Sequence, residues 1–138
     1  MEGVLDCSVA LAWVLPDETS VRAERFLARF PPESILWVPA LWWYEIANAL
    51  TVAERRKRLA EADRVRIIEL YGMLSIQTDA HLGSDSVWRF HILAREHQLS
   101  AYDAAYLELA QRKGLGLATL DQSLIRAARK VGVRVVRV

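Results

Sequence analysis

The chain has 138 residues, of which 53% are hydrophobic and 25% are charged. This composition excludes a disordered chain and predicts one globular domain, residues 1–138, that buries roughly two-thirds of its unfolded surface. A formal net charge of +1 indicates neither a strongly basic nor a strongly acidic surface.

The single cysteine, Cys7, excludes an intramolecular disulfide and a cysteine-based zinc site. We interpret it as a small core residue, because it lies in the apolar first segment. The first residues lack the basic region and the long apolar stretch of a signal peptide. No run of about eighteen apolar residues is present that could span a bilayer. We therefore expect a cytoplasmic protein that does not enter a membrane.

Apolar runs with strand-like and helix-like spacing alternate along the chain. In chain order they predict a strand over residues 3–7, helices over 9–15 and 20–30, a strand over 34–38, helices over 40–56 and 61–74, a strand over 75–78, helices over 84–97 and 101–113, a strand over 115–119, a helix over 122–131 and a final strand over 133–138. Strands separated by helices indicate an α/β fold, a parallel sheet of about four to five strands flanked by helices on both faces.

Helix-end signals support several of these boundaries. Ser8 and Ser100 are suited to cap the helices that follow them. Pro16 is expected to end the first helix, and Gly114 and Gly132 are expected to end the two helices that precede the last two strands. The final segment carries polar residues on only part of its length, which suits an edge strand.

Four acidic residues lie in otherwise apolar surroundings. Asp6 ends the first predicted strand, and Asp121 follows the fourth. Glu45 and Asp103 lie within apolar helical segments. Carboxylates rarely enter such surroundings unless they are paired or hold a metal ion. No Lys or Arg lies close in sequence to the first three of these acids in chain order, so local ion pairs do not explain them.

The predicted architecture brings the four acids to one edge of the sheet. Open α/β sheets bind ligands outside the carboxyl ends of their strands, where Asp6 and Asp121 lie. Glu45 and Asp103 fall in early helical turns that face the same edge, and helix amino termini stabilise negative charge. Converging carboxylates without basic partners predict a cation site, and hard oxygen ligands select Mg²⁺ or Mn²⁺ over zinc. The sequence leaves open whether one ion or two would bind.

The residues around these acids resemble the motifs of the PIN-domain nucleases. The matching stretches are Asp6-Cys7-Ser8, then Glu45 followed by Asn48 and Leu50, then Tyr102-Asp103-Ala104-Ala105-Tyr106, and finally Thr119-Leu120-Asp121. The compact length resembles that of the VapC-type toxins of this family. The resemblance covers essentially the whole chain and implies the three-layer sandwich of a PIN-like domain.

The resemblance also implies roles for individual side chains. The implied catalytic and metal-binding acids are Asp6, Glu45, Asp103 and Asp121, supported by Ser8, Asn48 and Thr119. The two hydroxyl groups would orient the acids or the attacking water, and the amide would be a polar neighbour of Glu45. Cys7 stands where a threonine or serine is more common. We expect it to point away from the site, because side chains alternate along a strand.

The same resemblance implies an Mg²⁺- or Mn²⁺-dependent endoribonuclease, the toxin component of a type II toxin–antitoxin system. Its implied partners are a structured RNA substrate, a cognate antitoxin protein and a second copy of the chain, with DNA contacted only through the antitoxin. We expect the helices over residues 20–30 and 41–50 to carry the apolar contact surfaces. Hydrolysis at a divalent-ion site needs no side-chain base, and the chain's histidines, His81, His91 and His97, show no ligand spacing.

Each acid also has a purely structural interpretation. Asp6 can be a turn residue at a strand end, and Asp121 can be a helix N-cap. Glu45 and Asp103 can be ordinary acids on helix surfaces. The order of the four motifs favours one shared site over four separate structural roles. Four further acids lie in loop-like or helix-start sequence and are expected to be solvated: Asp17, Glu18, Asp79 and Asp85.

A basic cluster, Arg55-Arg56-Lys57-Arg58, follows the third predicted helix. It would attract RNA phosphates if it borders the site. Alternatively, it is a solvated helix end that the helix dipole favours. The five tryptophans offer stacking surfaces for bases, yet in a small domain most are expected in the core or at an interface. Adjacent Trp42 and Trp43 cannot face the same way on a helix, so one is expected to meet another helix or subunit.

Several other functions remain open from the sequence. The site would equally serve a housekeeping RNA-processing nuclease or a DNA-cleaving nuclease of the same family. A receiver-like phosphoacceptor would need a lysine near the acidic pocket, and the three lysines are poorly placed for that role. A non-enzymatic binding module could use the acidic pocket to hold arginines of another protein, which is also how an antitoxin could dock.

Overall fold

The computed structural model describes residues 1–15 and 21–138. Three expectations from the sequence lie outside the described residues. These are the helix end at Pro16, the solvated acids Asp17 and Glu18, and the helix start at Ser20.

Helices and strands alternate as the sequence predicts. The elements are β1 (Glu2–Leu5), α1 (Cys7–Val14), α2 (Val21–Ala28), β2 (Ile35–Pro39), α3 (Leu41–Arg55), α4 (Glu61–Met73), β3 (Ile76–Asp79), α5 (Ser84–His97), α6 (Ala101–Lys113), β4 (Gly116–Ala118) and α7 (Gln122–Lys130). The predicted bounds of α5 and α6 agree with the structure. Ser100 caps α6, since its Oγ accepts a hydrogen bond from the Asp103 backbone N–H at 3.0 Å. Gly114 ends α6 in the left-handed conformation, with φ of 66°.

The four strands form one parallel sheet in the order β3-β2-β1-β4. The chain moves from β1 outward to β3 and then returns to the other side of β1. Right-handed crossovers therefore place the helices before β3 on one face of the sheet and the later helices on the other. The helix contacts agree, because α1 packs against α2 and α3, whereas α6 packs against α5 and α7. The reversal of strand order lies between β1 and β4, where α/β sheets bind ligands.

The first strand and the first helix differ from their predicted bounds. β1 ends at Leu5, and α1 already begins at Cys7, so that Asp6 occupies the N-cap position. Ser8 is therefore not the cap of this helix, which corrects the prediction. Aspartate is a preferred N-cap residue, yet the Asp6 side chain makes no capping hydrogen bond. Its carboxylate accepts hydrogen bonds from two hydroxyl groups instead.

The predicted final strand over residues 133–138 forms only one bridge, between Leu117 and Val135. The Leu117 N–H donates to the Arg134 carbonyl oxygen, and its carbonyl oxygen accepts from the Val136 N–H, both at 2.8 Å. β4 is only three residues long, which leaves little backbone for a longer ladder. The final segment packs closely on β4, since a Cβ added at Gly116 would lie 2.9 Å from Val136 Cγ2. The segment lies beside the edge strand but was wrongly predicted to be a full strand.

The core lies on both faces of the sheet. Trp42 of α3 is fully buried and packs edge-on against Tyr71 of α4, whose hydroxyl donates to the Ala10 carbonyl oxygen of α1 at 2.9 Å. Adjacent Trp43 is 41% exposed, so the two tryptophans face different ways, as expected. Within residues 1–15 and 21–138, no helix combines the length and the apolar character needed to cross a bilayer.

Candidate active site

The site forms where β1 and β4 leave the sheet side by side. Leu5 pairs with Ala118 in the parallel register, so Asp6 and Thr119 follow at the same level of adjacent strands. The Asp6 backbone N–H donates to the Ala118 carbonyl oxygen at 2.9 Å, which continues the pairing by one residue. Both side chains are almost fully buried, with 4% of Asp6 and 2% of Thr119 exposed. The backbone ladder thus fixes the first carboxylate of the site.

Two hydroxyl groups hold the Asp6 carboxylate. Ser8 Oγ donates to Asp6 Oδ2 at 2.7 Å, and Thr119 Oγ1 donates to the same oxygen at 2.6 Å. Each hydroxyl is itself oriented by a backbone N–H, because Ser8 Oγ accepts from Leu120 and Thr119 Oγ1 accepts from Asp121, both at 3.0 Å. Ser8 and Thr119 therefore position this acid rather than cap a helix.

Glu45 lies in the second turn of α3 and reaches the same region. Its Oε1 accepts a hydrogen bond of 2.6 Å from the hydroxyl of Tyr106, a fully buried residue of α6. Its Oε2 lies 3.7 Å from Cys7 Sγ, which acts as a weak donor. Cys7 therefore faces the site, contrary to the prediction that it points away. The alternation rule does not apply, because Cys7 is the first residue of α1 and not the last of β1.

Asp103 and Asp121 lie at the starts of α6 and α7. Asp103 is the third residue of α6, half-buried, and its backbone N–H is the donor in the Ser100 cap. Asp121 is the N-cap of α7, where its Oδ1 accepts from the Leu124 N–H at 3.0 Å. The structural interpretation of Asp121 as a cap is thus confirmed. Capping uses Oδ1 of Asp121, and its charge still acts on Asp6 and Asp103.

Burial and mutual repulsion disfavour the charged forms of three of the acids. Burial raises the pKa of Asp6, the hydrogen bonds from Thr119 and Ser8 oppose this rise, and the charge of Asp121 adds to it. Burial also raises the pKa of Glu45, with smaller contributions from Asp6 and Asp103 and with the Tyr106 hydrogen bond opposing. Burial raises the pKa of Asp103, and the charges of Asp121 and Asp6 add to the rise. The charges of Asp6, Asp103 and Asp121 therefore act on one another, and the charges of Asp6 and Asp103 act on Glu45.

None of the four acids forms an ion pair with a cation in the described parts of the chain. Glu108, a buried acid of α6 outside the site, shows the opposite arrangement. Its Oε1 accepts from Arg89 at 3.0 Å and from Arg112 at 2.7 Å. Arg112 also pairs with Asp79, which corrects the expectation that Asp79 is solvated. This chain therefore pairs a buried structural acid with arginines, and the site acids differ from it.

The donor chemistry of the site fits a divalent cation, because hard carboxylate oxygens without cationic partners are the ligands that Mg²⁺ and Mn²⁺ prefer. The acidic side chains are more widely spaced than the ligands of a closed metal site. Among the described residues, no group of three or more His, Cys, Asp or Glu side chains is arranged to hold an ion as it stands. Mg²⁺ commonly keeps several waters and binds through only one or two carboxylates, so the open spacing agrees with the donor set.

The other predicted residues lie farther from the acids. Asn48 is exposed on α3, nearly one turn after Glu45. The basic cluster Arg55-Arg56-Lys57-Arg58 lies at the carboxyl end of the same helix, and Arg55 is about 15 Å from Glu45 along the axis. Its backbone closes a Schellman cap, in which Lys57 has φ of 58° and the Arg58 N–H donates to the Ala53 carbonyl oxygen. The structure does not bring this cluster to the acids.

Two side chains of the site were missed in the sequence. Tyr106 belongs to the motif around Asp103, but the motif alone indicates no role for it. For Cys7 the sequence predicts only a position in the core. Tyr106 stands three residues after Asp103, a helical spacing that puts both side chains on one face. That spacing was a usable signal for Tyr106. The contact of Cys7 with Glu45 required knowing where α1 begins.

Comparison with known proteins agrees with this geometry. The PIN domain family profile matches residues 3–130. Ribonuclease VapC3 of Pyrobaculum aerophilum is 33% identical over 128 residues, which covers 90% of this chain and 92% of the relative. Ribonuclease VapC9 of Mycobacterium tuberculosis is 33% identical over 125 residues, covering 88% and 87%. A solved structure of a Pyrobaculum aerophilum protein superposes with a TM-score of 0.67 at 27% identity, covering 92% of this chain and 79% of that one. The chain therefore belongs to the PIN-domain family, among its VapC-type members.

Proposed function

We propose that this protein is a metal-dependent endoribonuclease, the toxin of a type II toxin–antitoxin pair that acts in the cytoplasm. The observation that carries the proposal is the buried Asp6 carboxylate at the switch point of the sheet, held by Ser8 and Thr119. Support comes from Glu45, Asp103 and Asp121, whose charges act on Asp6 directly or through one another, with no cationic partner among the described residues. An arrangement that disfavours its own charge is suited to bind a cation.

The relatives support RNA as the substrate. Two curated proteins that match almost the whole chain at 33% identity are named ribonucleases. A family member with the same site could instead process RNA in housekeeping or cleave DNA, so the assay below includes both nucleic acids.

The roles of the chain's own residues follow from their contacts. A bound Mg²⁺ or Mn²⁺ would lower the pKa of the attacking water and stabilise negative charge on the phosphoryl oxygens. Asp6 is held in one orientation by Ser8 and Thr119, so it would bind the ion without a further loss of side-chain freedom. Glu45 is held by Tyr106 through Oε1 and would contribute through Oε2, which accepts a weak hydrogen bond from the thiol of Cys7. Asp103 and Asp121 would complete the charge of the site from two helix starts.

The test is cleavage of RNA by the purified protein. We expect cleavage in Mg²⁺ or Mn²⁺ with 5′-phosphate products, and no cleavage in excess EDTA. Asp6→Asn and Asp103→Asn should each lower the rate by about 100-fold or more, since each removes charge that acts on the transition state. Circular dichroism should show that both variants are folded.

Asp85→Asn is the matched control. It removes one acid at the start of α5, where Asp85 is exposed and paired with Arg89 outside the site. Its rate should equal that of the natural protein. Undiminished cleavage in EDTA, or full activity of both site variants, would refute the metal mechanism. Faster cleavage of single-stranded DNA than of RNA would favour the DNA nuclease.

An antitoxin segment has a candidate docking surface between α3 and α4. An apolar groove of about 530 Å³ lies between these helices, lined in part by Trp42, Trp43, Ile46, Leu50 and Ile68. The other surface considered in the sequence, on α2, is less suitable, because Phe26 is buried and packs against Phe30. We propose that the antitoxin packs apolar residues into this groove and places an arginine among the four acids. DNA would be contacted only through that partner.

A further inference from the structure

A polar groove separates the carboxyl end of α5 from α7. It has a volume of about 270 Å³ and is lined chiefly by Glu96, His97, Gln98, Ser123, Arg126 and Lys130. The groove was not anticipated in the sequence. Its lining suits a charged, hydrated ligand rather than an apolar one.

The groove adjoins the acid site through both of its walls. α7 starts directly after Asp121, and Ser123 on its first turn lines the groove. The end of α5 is joined by only three residues to α6, whose first turn carries Asp103. A strand of nucleic acid that leaves the acids between these two helix starts would therefore enter the groove directly.

The α7 wall carries basic side chains that form no ion pair with the described residues. The helix contains Arg126, Arg129 and Lys130 and no acidic residue. None of these three cations forms an ion pair in the described parts of the chain. Elsewhere, by contrast, Arg64 and Arg112 are each bound to carboxylates. Cations that remain unpaired beside a groove are available to an anionic ligand.

Arg126 is placed closest to the acids. Its Nη2 donates to Ser123 Oγ at 3.2 Å, so the guanidinium group leans toward the start of α7. Arg126 lies about 7.5 Å from Asp121 along the helix axis, and Lys130 lies about one turn farther. The basic cluster at the end of α3 is less suitable. Arg55 lies about twice as far from Glu45 along α3 as Arg126 lies from Asp121 along α7, so it is less able to contact an RNA strand bound at the acids.

We propose that the α5–α7 groove holds the phosphates of the RNA strand next to the cleaved bond, with Arg126 and Lys130 as the two phosphate contacts. RNA as the ligand rests on the proposed function. Glu96 on the opposite wall carries a like charge to the phosphates and weakens this binding. The groove, rather than the Arg55-Arg56-Lys57-Arg58 cluster, is the electrostatic part of the substrate site.

The test measures binding without cleavage. The probe is a fluorescein-labelled single-stranded RNA of about 30 nucleotides without self-complementarity, titrated in EDTA between about 50 and 200 mM KCl and followed by anisotropy. Each phosphate contact to a single strand contributes about 0.7 to the slope of log affinity against log salt. The double variant Arg126→Ala/Lys130→Ala should therefore reduce the slope by about 1.4 and weaken binding about 10-fold or more at the lower salt concentration.

The control Arg55→Ala/Arg56→Ala removes the same charge from the far end of α3 and should leave the slope unchanged. Glu96→Gln should tighten binding, which a purely structural role of the groove would not produce. An unchanged slope in the α7 double variant, or an equal loss in the α3 control, overturns the proposal. So does a double variant that binds RNA normally but no longer binds an acidic partner protein.

The design separates this proposal from the proposed function. Binding is measured in EDTA, so it does not depend on cleavage. One outcome is that the protein fails to cleave RNA with any metal while the double variant still reduces the salt slope as expected. That result would support RNA binding in the groove and contradict the nuclease function. If the protein cleaves RNA but the salt slope of the double variant is unchanged, the nuclease function is supported and RNA binding in the groove is contradicted. Thermal melts of every variant should confirm a folded protein.

Discussion

Two buried carboxylates of this chain lie in opposite electrostatic environments. Glu108 accepts hydrogen bonds from the guanidinium groups of Arg89 and Arg112, whereas Asp6 accepts them from the hydroxyls of Ser8 and Thr119. Neutral hydroxyls orient a carboxylate without neutralising it. We therefore expect the charge of Asp6 to destabilise the metal-free fold.

Asp6→Asn should stabilise the metal-free protein at neutral pH. Asparagine keeps an oxygen that can accept from both hydroxyls and removes the buried charge. We expect the free energy of unfolding in EDTA at pH 7 to rise by about 1 kcal/mol, a typical mutational effect. Urea unfolding of both proteins measures the difference.

The stability gained by Asp6→Asn should depend on pH in one direction. Burial raises the pKa of folded Asp6 above its unfolded value of about 3.9, so the natural side chain favours the folded state fully below that value and loses this contribution as pH rises through the folded pKa. The advantage of Asp6→Asn should therefore shrink toward zero as pH falls to about 4. The exposed control Asp85→Asn should show no gain. A loss of stability in Asp6→Asn at pH 7 would mean that a cation already pairs with this acid.

At the scale of elements, helix ends set the positions of the site residues. The loop between α5 and α6 places Asp103, and it begins with Gln98 in the left-handed conformation, with φ of 54°. α6 ends at Gly114, which has φ of 66°. The left-handed conformation is costly for residues that have a Cβ and is readily adopted by glycine.

Substitutions at these two helix ends should change the free energy of unfolding in opposite directions. Gly114→Ala should lower the free energy of unfolding by about 1 kcal/mol through backbone strain alone, because an added Cβ would meet nothing within 4 Å. Gln98→Gly should raise it by a similar amount, about 1 kcal/mol. Chemical denaturation of the two variants tests both signs. Equal stability of Gly114→Ala and the natural protein would show that the helix end relaxes.

At the scale of the whole molecule, two of the apolar surfaces formed by the described residues are candidates for protein contacts. One is the α3–α4 groove assigned above to the antitoxin. The other surrounds the start of α5, where Leu82, Val87 and Trp88 are each more than 60% exposed. Exposed apolar patches of this kind usually mark protein interfaces.

We propose a homodimer that forms through the start of α5. Light scattering should report the mass of two chains, and Trp88→Ser should shift the mass toward one chain without lowering the melting temperature. Trp43→Ser, on the other surface, should keep the dimer mass and weaken inhibition by the antitoxin, which otherwise suppresses cleavage at near-equal stoichiometry. A strict monomer at high concentration, fully active in the presence of the antitoxin, would contradict both assignments.

The sequence by itself determined the alternation of helices and strands and the parallel sheet, and it singled out four acids in apolar surroundings as candidates for the site. These features depend on local patterns. Apolar runs are bounded by residues such as Ser100 and Gly114, and an acid such as Asp103 stands out within an apolar helix. The resemblance of the motifs to the PIN-domain family then connected residues that lie far apart in the chain.

Only the tertiary structure decided which groups touch. The contact of Cys7 with Glu45, the hydrogen bond from Tyr106, the pairing of Glu108 with Arg89 and the groove beside α7 all join residues far apart in sequence or depend on how helices pack. The last predicted strand failed for the same reason, because its length depends on the short β4 beside it and not on its own residues. Local propensity sets where an element forms, whereas packing across the sheet sets the partners of its side chains.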